Sequence, residues 1–176
     1  NQIEVIYFQH DDGPGTGFSI GDEEFEIAEQ VHPREGEKIF TKNINSCFGN
    51  KDFTDYVKDE NTLMIVGLQT NFCIDATVKS AFERGYKVIV PQGANSTFDN
   101  DYMSGEETYK YYNDMMWPKR FATCVSVDEA IKLILDESQY KKWAKHKQQQ
   151  QQNRMNRGMG GPGMMGPRGM NGGFGG

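Results

Sequence analysis

Cys73 stands at the end of Gly67-Leu-Gln-Thr-Asn-Phe-Cys73, between an apolar run and an amphipathic one. The run Leu63-Met-Ile-Val-Gly67 reads as a strand, and Asn71 to Arg84 reads as a helix. That order puts Cys73 in a first helical turn at the carboxyl edge of a sheet, where open α/β sheets bind ligands. Free backbone N–H groups and the positive end of a helix dipole favour a thiolate there. The same N–H groups can hold a developing oxyanion. Cysteine is also a common buried hydrophobe. Position by itself therefore leaves nucleophile and packing evenly matched.

Lys42 closes the run Lys38-Ile-Phe-Thr41, so it too leaves a strand at its carboxyl end. An ammonium there steadies a thiolate and an oxyanion. A lone Lys at a strand end is more often merely solvated. His10 follows the first apolar run, Glu4-Val-Ile-Tyr-Phe8. Facing the pocket and making a structural hydrogen bond are equally good readings of it. Asp11 and Asp12 leave the same strand. They are weighed as proton acceptors, against the default of solvated loop acids. His10, His32 and His146 are far apart in the chain, so no metal site is expected. Cys47, Cys73 and Cys124 show neither zinc-ligand spacing nor a disulfide framework. A reducing, cytoplasmic setting follows. Cys124, inside an apolar run, is expected in the core.

Elements must hold these residues in place. Five β-branched runs recur: 4–8, 38–41, 63–67, 87–90 and 121–125. Short continuous apolar runs fit strands covered on both faces, as in a parallel sheet. Helices are expected at 52–59, 71–84, 104–116 and 128–135, the last capped by Ser126 or Asp128. Alternating strands and helices predict an α/β domain. The glycine-rich segment Asp11 to Gly21 is a long loop, and turn-making explains its glycines at least as well as contact with a ligand.

Residues 148–176 are low in aliphatic side chains: a glutamine run, then Gly, Met, Asn, Pro and Arg. Such a tail is expected to be disordered, because it cannot bury enough apolar surface to offset chain entropy. The boundary of the folded domain is placed at 147/148. The whole chain has a net charge of −6, and the tail's three arginines leave −9 on the first 147 residues. An acidic body argues against broad nucleic-acid binding, and only the Arg-Gly tail is a candidate for RNA contact. No apolar run approaches the roughly 20 residues that span a bilayer, so no membrane partner is expected.

The residues also carry a resemblance. Val5-Ile-Tyr-Phe-Gln-His10, Gly36-Glu-Lys-Ile-Phe-Thr-Lys42, Asn45-Ser-Cys-Phe48, Gly67-Leu-Gln-Thr-Asn-Phe-Cys73, Ala81-Phe-Glu-Arg-Gly-Tyr-Lys-Val88 and Ala94-Asn-Ser-Thr97 follow in order. Together they resemble the isochorismatase-like cysteine hydrolases, which include nicotinamidases, N-carbamoylsarcosine amidase and streptothricin hydrolase. Ordered motifs weigh more than one lone motif. The resemblance implies a three-layer, Rossmann-like α/β sandwich with a parallel sheet. It implies an amidohydrolase in which Cys73 attacks a small-molecule amide or related C–N bond and forms a thioester. Lys42 would favour the thiolate, and the backbone N–H groups of Gln69 and Cys73 would form the oxyanion hole. Phe48, Asn71 and Phe72 would line the pocket. A cis peptide is implied at Leu68–Gln69. No cofactor is implied, and homo-oligomers are expected.

The family's remaining catalytic residue is an Asp that ends a central first strand. No segment of this sequence matches that strand, so the expected fold is N-terminally truncated. Its loss would leave two unpaired strand edges or force them to rejoin. Two explanations stand open. The Asp lies in an upstream segment, or the domain is an inactive oligomerisation or binding module.

Overall fold

A computed structural model describes residues 3–135 and 137–158. The chain divides into two units, Asn1–Leu135 and Asp136–Gly176.

In the first unit every strand pairing is parallel. β1 (Ile6–His10) pairs with β2 (Lys38–Lys42), in a register that sets His10 opposite Lys42. The two side chains thus leave the sheet side by side at its carboxyl edge. β3 (Thr62–Met64), β5 (Lys87–Pro91) and β7 (Thr123–Val125) form a second ladder in the order β3-β5-β7. β4 (Gly67–Leu68) pairs with β6 (Asn95–Ser96). The run 63–67 is therefore not one strand. Its partner β5 stops at Pro91 and turns, with Ala94 N–H donating to Pro91 O. The chain continues past that turn onto the next partner, and Gly67 N–H donates to Ala94 O (2.9 Å). Among the described residues β1 and β2 pair with no strand of the β3-β5-β7 ladder. The single expected sheet is present as separate parallel ladders.

The central strand β5 reads Val88-Ile-Val90, and all three side chains are buried. This is the pattern of a strand covered on both faces. Helices pack on it. α1 (Lys51–Tyr56) starts where Asn50 Oδ1 accepts from Phe53 N–H. α2 (Asp75–Glu83) buries Val78 and Ala81 completely. α3 (Gly105–Lys110) and α4 (Val127–Ile134) each open on a capping box, Ser104 with Glu107 and Ser126 with Glu129. The core gathers Phe48, Phe53, Val57, Ile74, Val78, Val88, Val90 and Trp117. Phe8 of β1 and Phe40 of β2 pack on Phe53, which fastens their ladder to this core.

Two helices are wound wider than expected. Thr70–Ile74 precedes α2 as a π-type turn, with Ile74 N–H donating to Gln69 O across five residues (3.1 Å). Tyr111–Met116 continues α3 in the same way. In the loop 11–21, Gly13, Gly15, Gly17 and Gly21 all have positive φ, and a Cβ at any of them would meet nothing within 4 Å. Turn-making accounts for these glycines.

The described part of the second unit is α5 (Glu137–Gly158). This helix lies beyond the last one expected and runs through the boundary placed at 147/148. Gln, Lys and Ala are good helix formers, which favours a helix even without an apolar face. Residues 159–176 of the expected tail lie outside the described residues. Among the described residues no helix is long and apolar enough to cross a membrane.

Candidate active site

The end of β2, the end of β1 and the π-type turn before α2 converge on one group. Lys42 Nζ lies 3.2 Å from Cys73 Sγ, 2.7 Å from His10 Nδ1 and 3.0 Å from the carbonyl oxygen of Ile44. Lys42 is only 6% exposed. An ammonium has three N–H donors and no acceptor, so each of its protons has one of these partners. None of the three is a carboxylate. A buried cation needs a counter-charge, and Cys73 is the contacting group that can become one. Cys73 Sγ also lies 3.8 Å from Asn45 Oδ1 and 3.9 Å from His10 Nδ1.

The turn that carries Cys73 is tied down at both ends. The Leu68–Gln69 peptide is cis. Gly67 has φ +126°, a region that disfavours any other residue. Phe72 and Ile74 N–H groups both donate to Gln69 O. Thr77 Oγ1 donates to Cys73 O (2.7 Å) and accepts from Cys47 N–H (3.1 Å), joining α2 to the loop after β2. Beneath the turn, Thr70 Oγ1 donates to Asn95 Oδ1 (2.8 Å), and Asn95 exchanges bonds with Asn113. All three residues are buried. Asp75, at the start of α2, accepts from the buried Trp117 indole (2.9 Å) and from Lys79 (2.6 Å).

The residues expected at the site divide. Cys73 and Lys42 are in contact. Gln69 and Asn71 lie next to them in the turn, their side-chain oxygens 3.3 and 2.6 Å from Thr97 Oγ1. Phe72 is half exposed in the same turn. Phe48, expected as a pocket wall, sits instead in the core. It packs on Phe53 and Tyr86 and lies under the Arg84 guanidinium. The Ser46 hydroxyl accepts from Phe48 N–H (3.2 Å) in a tight turn, and burial of its ring stabilises the core. Three contacts were not assigned from the sequence: Asn45, the Ile44 carbonyl and His10. The signal for His10 was its place at a strand exit, two residues before an acid.

Burial pushes the Cys47 thiol up, partly opposed by its bond with Thr77. Burial, with the charge of Asp114, pushes Cys124 up to about 11. All three cysteines are free. Among the described residues no group of three or more His, Cys, Asp or Glu is placed to hold a metal ion. An open cleft of about 370 Å³ is lined by Lys42 together with Asp11, Asn43, Asn50, Lys51 and Asp52.

A parallel α/β fold with a cysteine in the turn entering a helix, and a buried lysine on its sulfur, defines a cysteine-centred site at a sheet edge. Residues 1–129 match the isochorismatase domain, and the chain belongs to the isochorismatase family of hydrolases. It is 30% identical over 134 residues to the isochorismatase family protein YrdC of Bacillus subtilis, covering 72% of each chain. It is 27% identical over 97 residues to a streptothricin hydrolase of Streptomyces noursei, covering 54% of this chain and 38% of that one. Among solved structures, an isochorismatase-like hydrolase from Alkaliphilus metalliredigens superimposes with a TM-score of 0.63 at 26% identity. That match covers 75% of this chain and 70% of the other.

Proposed function

We propose that this chain is a cysteine amidohydrolase, cleaving an amide or related C–N bond of a small molecule through a thioester at Cys73. The observation that carries this reading is the 3.2 Å contact from the buried Lys42 ammonium to Cys73 Sγ. The cation favours the thiolate, which is the attacking species. The Cys73 sulfur adds to the substrate carbonyl. The backbone N–H groups of Gln69 and Cys73 take the developing oxyanion. The amine leaves, and water hydrolyses the thioester. Phe72 and Asn71 offer an apolar and a polar contact to the substrate. The similarity to a streptothricin hydrolase supports small-molecule hydrolysis. Self-association belongs to the same reading, and sedimentation velocity measures it.

The test is to incubate the chain with a panel of small amides, quench in acid and weigh the intact protein. The expected result is an acyl adduct on Cys73, absent in Cys73→Ala. Lys42→Met is expected to form it at least 100-fold more slowly, in line with the loss of one electrostatic group at the reacting centre. No adduct and no turnover across the panel would leave the chain a binding or oligomerisation module.

A further inference from the structure

We propose that His10 and Asp12 are positioning residues for Lys42, a relay that holds its ammonium charged and aimed at Cys73. This deepens the proposed function and rests on Cys73 being the nucleophile that Lys42 serves. None of the three groups bonded to Lys42 is a carboxylate. A buried ammonium that lacks support gives up its proton, and a neutral amine does not steady a thiolate.

The hydrogen bonds fix where the protons are. Lysine holds a proton more tightly than histidine, so in the 2.7 Å contact Lys42 Nζ donates and His10 Nδ1 accepts. That bond engages the one lone pair of Nδ1, so the ring carries no proton to or from the sulfur. The proton of the neutral ring is then on Nε2, which donates to Asp12 Oδ1 at 2.8 Å. The arrangement is that of a histidine on a metal, with the ammonium in the metal's place. A carboxylate on the far ring nitrogen fixes the tautomer, orients the ring and makes the near nitrogen a stronger base. Asp12 does this for His10 and sets a negative charge one ring away from the cation.

The backbone holds each part. The parallel register sets His10 opposite Lys42, and Asp11 N–H extends the pairing by donating to Lys42 O (2.8 Å). Asp12 N–H donates to Phe18 O (2.9 Å), which closes the loop after β1. The Asp11 carboxylate is used locally, accepting from Gly13 N–H (2.9 Å). Of the two acids leaving β1, Asp12 is the one on the ring. The other two Lys42 protons meet Ile44 O and Cys73 Sγ. With acceptors on three sides the ammonium cannot turn away from the sulfur. Without Nδ1 it is free to turn or to lose a proton.

The experiment measures iodoacetamide alkylation of Cys73 in the full chain at pH 7.5 and pH 10, by peptide mass spectrometry, with circular dichroism on each variant. His10→Leu removes the acceptor and is expected to slow alkylation about 10-fold or more at pH 7.5. His10→Asn puts an oxygen where Nδ1 stood but does not reach Asp12. It is expected to lose about threefold, as is Asp12→Ala, whose carboxylate is 52% exposed and screened. Adding Asp12→Ala to His10→Asn is expected to change nothing more, because Asp12 acts through the ring. At pH 10, where an ordinary thiol ionises unaided, the gaps are expected to close to about twofold. A merely structural lesion would keep them open, and gaps that persist would overturn the relay. His10→Leu at the wild-type rate, with Lys42→Met slow, would overturn the relay and leave the proposed function standing. Lys42→Met at the wild-type rate would overturn both. Further slowing of His10→Asn by Asp12→Ala would show Asp12 acting without the ring and would also overturn the relay. Should His10→Leu fail to fold, the loop variant Asp12→Ala decides, and an unchanged rate there overturns the relay.

Discussion

At the scale of single residues, the neighbouring groups separate three half-buried thiols that the sequence lists alike. Cys73 has a cation on its sulfur. Cys47 and Cys124 have burial against them, and Cys124 is pushed up to about 11. A thiol whose folded-state value is raised stays protonated, and unreactive, until the pH approaches that value. At pH 7.5 iodoacetamide is therefore expected to label Cys73 first and Cys124 last, and the gap is expected to narrow by pH 10. Time-resolved peptide mapping checks the order, and equal rates at pH 7.5 would contradict it. Cys73 and Lys42 were legible in the sequence through the ordered motifs around them, because a strand exit by itself left packing and solvation as equal or better readings. Phe48 was misread. A phenylalanine in a loop beside the site has the same sequence signature whether it faces substrate or core, and here the space between Phe53 and Tyr86 takes it.

At the scale of elements, the turn that carries Cys73 stands on a polar network. Thr70 is fully buried, and Asn113 is 1% exposed. Asn113 also donates to Tyr109 O, tying the turn and β6 to α3. A buried amide that loses its partner costs the full desolvation of that partner. Asn113→Ala is expected to destabilise the fold by about 3 kcal/mol, by stranding Asn95 and opening a cavity. Thr70→Val is expected to cost only about 1 kcal/mol, because Asn95 Oδ1 keeps its bond from Asn113. Urea unfolding of the two variants measures both, and equal losses would show that the bonds do not share Asn95 as described. The helix starts after Ser104 and Ser126 were readable from those residues. The π-type winding at Thr70–Ile74 was not, since its apolar spacing is compatible with an ordinary first turn.

At the scale of the whole molecule, the chain separates at Leu135 into an α/β unit and a unit described by the polar helix α5. The first unit holds its own core and every residue of the site. Deleting residues 136–176 is expected to leave the unfolding midpoint within about 2 °C and the Cys73 alkylation rate unchanged. A larger fall would show that α5 supports the first unit. The sequence by itself determined the class of fold and the main alternation of strands and helices, and its ordered motifs named the two ends of the Lys42–Cys73 contact. Hydrophobic period and strand exits are local properties, so one chain carries them. Only the tertiary structure decided who meets at the sheet edge. The parallel register of β1 on β2 sets His10 against Lys42, and the loop closed by Asp12 and Phe18 puts a carboxylate on the imidazole. The register of β1 on β2 depends on packing between segments about thirty residues apart, which no local pattern encodes.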